Sequence, residues 1–276
     1  MLTQVEVRTR GGDRLVLPLQ NVTEGFVIQD IDGLDPVKAN IVSTGFAQMD
    51  GEQYQSSSLT SRNITLKLGL EASLYAAGSV RDLRNRLYKY LMPKSFVTLT
   101  FRDRYLPEVI IDGYVESLDT KLFVKEPEAT ISILCMTPEF RATQSRTLQS
   151  QTVTSVSSAN TTIDYAGTAP SGIMLILPFN RAVTSFTLQN TNVNSETTSM
   201  EFSGAFASGD SLSIYTSPGE KDVVLTKTGV KTPMLHTLSS YSGWISLDPG
   251  PNYFKVVVAG TAMNYLLTYT DKYGGL

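Results

Sequence analysis

The residues able to do chemistry in this chain are few and scattered. The one histidine, His236 in "TPMLHTL", has no acidic or nucleophilic neighbour in sequence. A serine nucleophile needs an imidazole steered by a carboxylate, and the G-x-S-x-G elbow that would present such a serine is absent. Structural zinc needs clustered thiols and imidazoles. The one cysteine, Cys135, stands about a hundred residues from His236 and falls on the apolar side of an alternating run, which makes it a small core residue. The segment "DIDGLD", Asp30 to Asp35, has the acidity of a calcium loop but not its spacing. An EF-hand wants glycine at position 6 and glutamate at 12, whereas here Gly33 is fourth and Ile41 twelfth. A turn is expected instead, with Asp-Gly taking up positive φ and Asp35-Pro36 closing it.

Two further readings start from side-chain type alone. A glycosidase needs only two carboxylates, and 26 acidic residues supply many pairs, none of which stands out. Trp244, the single tryptophan, lies near Tyr241 in "SYSGWISLDPGPN". It is either a core anchor at the start of a strand or, with Tyr241, a stacking platform for sugar. No G-x-x-x-x-G-K-[ST] and no G-x-G-x-x-G between strand and helix is present, so nucleotide chemistry is not expected. No cofactor and no metal is implied.

The elements that must position these residues are mostly strands. "NITLKLGL" places Ile64, Leu66, Leu68 and Leu70 on one face, and "EATISILCM" does the same with Ile131, Ile133 and Cys135. "VIIDGYVESL" reads as a strand with Val109, Ile111 and Val115 inward and a bulge around Gly113. One helix interrupts them: Val80, Leu83, Leu87 and Leu91 recur at helical spacing, Ser79 and Asp82 form a capping box, and Pro93 ends it, giving a helix over about 80 to 92. A single amphipathic helix among antiparallel strands completes the core at one face or open end of a sheet.

At 276 residues the chain is long enough for two domains with separate cores. From Thr143 to Thr162 the composition turns to Ser, Thr, Gln and Asn, marking a linker or a polar crossing strand. Beyond it, short strands such as "IMLILPF", "DSLSIYT" and "YFKVVVAG" alternate with turns, the pattern of an antiparallel sandwich. The formal charge of -3 disfavours binding to nucleic-acid phosphates or acidic membranes. The longest apolar run, "IMLIL", is far shorter than the ~20 residues of a membrane span. The start "MLTQVEVRTR" lacks the apolar core of a signal peptide, and a lone cysteine forms no internal disulfide. Folding in a reducing cytoplasm is expected.

Five segments in order, "DGLDPVKANI" (32–41), "MDGEQYQSSSLTSRNITLKLGL" (49–70), "VRDLRNRLYKYLMPKSFVTLTF" (80–101), "IDGYVESLDTKLF" (111–123) and "ATISILCMTPEF" (129–140), resemble the distal tail protein (Dit) family of long-tailed bacteriophages. "YAGTAPSGIMLIL" and "SGAFASGDSLSIYTSPGEKDVVL" resemble the C-terminal domain of such proteins. The resemblance implies a mainly β chain, with an N-terminal antiparallel β-sandwich or barrel-like domain carrying one α-helix (1–142), a polar stretch (143–163), and a C-terminal galectin-like β-sandwich (164–276). It implies no enzymatic activity but a structural role at the virion tail tip, after synthesis in the host cytoplasm. In that role a hexameric ring joins the tail tube protein to the central hub or tail-associated protein and supports receptor-binding proteins. DNA passes through the channel without specific binding, and nothing inserts into a membrane. The segment Met49–Ser58 reads as a polar loop that is either a subunit interface, with Met49, Asp50, Tyr54 and Gln55 as contact residues and Tyr54 as anchor, or simply exposed to solvent. The alternative is a carbohydrate-binding protein using Trp244 and Tyr241.

Overall fold

The computed structural model describes residues 2–20, 22, 24–47, 50–74, 78–105 and 107–276, and divides the chain into two compact units. The first comprises Met1–Thr143 with Gly274–Leu276, the second Gln144–Tyr273.

In the first unit the strands are β1 (Leu2–Thr9), β2 (Arg14–Pro18), β3 (Phe26–Asp32), β4 (Ala39–Gly45), β5 (Glu52–Leu59), β6 (Arg62–Leu70), β7 (Phe96–Asp103), β8 (Val109–Lys121), β9 (Glu128–Cys135) and the start of β10 (Phe140–Gln151). Seven of them pair antiparallel in the order β2-β1-β7-β8-β9-β6-β3. The two end strands β2 and β3 come into contact, so the sheet curls towards a barrel. Ile64, Leu66, Leu68, Ile131, Ile133 and Cys135 are fully buried, as period-two alternation requires. Helix α1 (Val80–Leu91) lays Leu83, Leu87 and Leu91 into this core against β1, β6 and β8. Its capping box is formed: the Ser79 hydroxyl oxygen accepts from the Asp82 amide at 3.3 Å, and the Ser79 amide donates to the Asp82 carboxylate at 2.9 Å. Met92 is already extended, because proline disfavours helical geometry in the residue before it.

The strand β8 is bulged, but not at Gly113. The register slips between Val115 and Ser117. Gly113 answers a different need, since a Cβ there would lie 2.7 Å from Ile133 and 2.9 Å from Cys135 on the neighbouring strand.

In the second unit β12 (Ser171–Pro178), β15 (Ser211–Tyr215), β16 (Asp222–Lys227), β17 (Val230–Pro233), β18 (Ser246–Leu247) and β20 (Asn264–Tyr273) form one sheet. Its counterpart contains β11 (Thr161–Tyr165), β13 (Val183–Thr191), β14 (Thr197–Phe206) and β19 (Gly250–Val257), in the order β11-β19-β13-β14. Leu175, Leu212 and Leu267 from the first meet Leu188, Phe202 and Val256 from the second in one apolar core, which makes a sandwich. Phe179 stacks on Phe206 at 4.9 Å and Phe186 on Phe202 at 4.7 Å within it. The polar stretch from 143 to 163 supplies the rest of β10 and most of β11. Side chains of β10 reach β20 through Ser145 to Thr270 at 2.8 Å and Arg146 to Asp271 at 2.8 Å.

Candidate assembly surfaces

Arg62, at the start of β6, is the most deeply buried charge in the first unit, at 1% exposure. Its Nε donates to the Pro138 carbonyl at 2.6 Å and its Nη1 to those of Gly33 and Asp35 at 2.5 and 2.7 Å. Nη2 donates to the Gly274 carbonyl at 2.5 Å, and the guanidinium Cζ lies 4.4 Å from the Phe140 ring centroid. No carboxylate pairs with it among the described residues; burial pulls its pKa below the ordinary value, opposed by the thiol of Cys135 and by the Glu139 and Asp35 charges. The "DIDGLD" segment is only in part the expected turn: Asp30 to Asp32 end β3, paired with β6, and the bend from Gly33 to Asp35 is held by the arginine. Gly33 has φ +86° and sits where a Cβ would meet the Asn63 carbonyl.

From that turn the chain runs out into β4 and β5, which pair only with each other. Every residue of β5 is exposed, and all of β4 beyond Ala39 is too. The expected interface loop is therefore mostly a strand, because β5 begins at Glu52 and aligns Leu59 with Ala39. Asp50 precedes it, Tyr54 pairs with Ser43, and Gln55 is the extra residue where the register slips. Met49 lies outside the described residues. Ile41 and Tyr54 are 64% and 61% exposed, with Val42, Phe46 and Leu59 also uncovered. A two-stranded ribbon with wet apolar side chains on both faces and two open edges is marginal on its own in water.

The remaining candidates do not converge. His236 is exposed on the turn Leu235–Thr237. Cys135 is buried in the first unit, and desolvation pushes its thiol up to about 11. Trp244 packs one side on the sandwich core, while Lys221 Nζ sits 5.3 Å from its ring centroid. Tyr241 is 97% exposed. Glu196 and Asp248 each accept from Asn192 Nδ2 at 2.8 Å, and Asn192 Oδ1 accepts the amides of Asn194 and Glu196, which makes this carboxylate pair part of a turn. Among the described residues no three acidic, thiol or imidazole groups gather as metal ligands. Sequence reasoning missed both Arg62 and the hairpin. The only local hint of the hairpin was the β-branched pair Ile41-Val42.

Comparison with known proteins falls on both units. Residues 20–106 match the phage tail protein RIFT-related domain, and residues 166–273 match the C-terminal domain of the siphovirus-type tail component. The crystal structure of SPP1 Dit (gp 19.1), described as a paradigm of the hub adsorption apparatus in phages infecting Gram-positive hosts, has TM-score 0.64 at 18% identity. That match covers 97% of this chain and 98% of the other. A chain of the phage P2 baseplate in its activated conformation with Ca matches at 12% identity and TM-score 0.49 over 100% of both chains. No curated protein sequence matches. Two such domains, on a fold shared with SPP1 Dit, define a structural component of siphovirus-type phage tails, not an enzyme. The chain belongs to the distal tail protein (Dit) family and is a component of the phage tail tip.

Proposed function

We propose that the chain forms a ring, of six copies by family resemblance, that joins the tail tube protein above to the central hub protein below. The second unit of each copy points outward and carries receptor-binding proteins. The observation that supports this reading best is the β4–β5 hairpin, whose apolar side chains and sheet edges are uncovered in the single chain. A neighbouring copy covers them, because ring contacts between identical subunits are heterologous: one patch of each copy meets a different patch of the next. Asp50, Tyr54 and Gln55 then lie in or beside the contact, with Tyr54 as its aromatic anchor. The net charge of -3 suits a channel that DNA crosses without being held.

Light scattering behind size exclusion, over a range of concentrations, tests the ring. The expected mass approaches six times 30.2 kDa at high concentration. Replacing Ile41, Val42 and Leu59 together by serine should return the chain to monomer with both units folded. Unchanged assembly in that variant removes the hairpin from the interface. Tail tips that form normally without the protein would refute the function.

A further inference from the structure

The first unit carries an exposed apolar knob and an apolar hole at opposite ends of one strand. The knob is the β8–β9 loop, where the Phe123 side chain is fully exposed and Val124 beside it is half uncovered. The loop is held at its base, since Lys121 Nζ donates to Glu128 Oε1 at 2.7 Å across the two strands. The hole is a cavity of about 250 Å³ where β8 begins, lined by Leu2, Leu34, Phe101, Pro107, Val109 and Leu276, with Asp103 as its one charged lining residue among those described.

We infer that Phe123 of one copy seats in this hole of the next copy. The strand between them rules out the knob's own molecule. Thirteen residues at ~3.3 Å each separate the two features by up to ~40 Å, so Phe123 does not reach its own hole. Charge agrees with the pairing. Lys125, which makes no ion pair among the described residues, flanks the knob, and Asp103 lies at the hole. A knob at one end and a hole at the other make a head-to-tail contact that can close into a ring. A loop already clamped at its base loses little freedom on docking. This contact rests on the ring reading and gives it a second point of attachment, separate from the β4–β5 hairpin.

The test uses two variants of the full chain, each on the surface so that folding survives. Phe123→Asp removes the knob and keeps the hole; Leu276→Arg, at a residue 38% exposed, puts a cation into the hole and keeps the knob. Sedimentation velocity over a concentration series should show each variant self-associating at least tenfold more weakly than the unaltered chain. An equimolar mixture, with one good knob for one good hole in each mixed pair, should associate more strongly than either variant alone and more weakly than the unaltered chain. If both variants assemble as the unaltered chain does, this contact is wrong and the ring stands on other surfaces. If the unaltered chain stays monomeric throughout, the contact is again overturned, and the ring reading is then decided by whether tail tips form without the protein.

Discussion

Replacing Arg62 by methionine keeps an apolar stem over Phe140 and removes all four donated hydrogen bonds. Each bond to a charged donor is worth about 1.5–3 kcal/mol, a gross figure of about 6–12 kcal/mol. Stripping water from the guanidinium offsets several kcal/mol of that, so the net loss should be about 3–5 kcal/mol. Arg62→Lys should recover less than half, because one ammonium does not span carbonyls that a planar fork reaches together. The two units allow an internal control. Trp244, the only tryptophan, reports the second unit by fluorescence, while hydrogen exchange of β6 and β9 amides reports the first. With a urea slope of about 2 kcal/mol/M, the first unit's midpoint should fall by about 1.5–2.5 M and the Trp244 midpoint should hold. A shift of the first unit below about 0.5 M, or an equal shift of both, would refute the clamp.

Three other outcomes are expected. The Cys135 thiol, buried and pushed up to about 11, should resist a thiol reagent at pH 8 in the folded chain and react on unfolding. Gly172→Ala, whose new Cβ would meet the Ser217 backbone, should destabilise the second unit by about 2–3 kcal/mol in the Trp244 denaturation midpoint. Hydrogen bonds from the Ser79 hydroxyl and amide hold the Asp82 carboxyl below its ordinary pKa. The cap's contribution is therefore complete above the ordinary carboxylate range and is lost as pH falls through the lowered value, so Asp82→Asn should flatten that part of an acid-unfolding curve.

Most of the fold was legible wherever one side of an element faces a core. Leu66 and Leu68 on β6, and Leu83 and Leu87 on α1, carry their burial in their spacing, because a strand or helix repeats locally. The break at Asp32-Gly33 was legible for the same reason, through Asp-Gly chemistry confined to two residues, but the strand running into it as far as Asp32 was not. Strand β5 was not. With both faces in water "EQYQSSSL" has nothing to alternate against, so it looked like a loop until its pairing with β4 was known.

The sequence by itself determined the strand-rich class, the single helix and its cap, the burial of Cys135, and through an ordered set of segments the family. Those signals are local, or are strings of local signals. The tertiary structure alone decided what Arg62 does, since its partners Gly33, Pro138 and Gly274 lie 29, 76 and 212 residues away. It alone decided that Gly113 makes room for Ile133 and Cys135 rather than for a bulge, and that Phe123 and the hole beside Val109 occupy opposite ends of one strand. A pattern of side chains specifies which face is buried, but only the closed chain specifies which distant atoms are there to meet it.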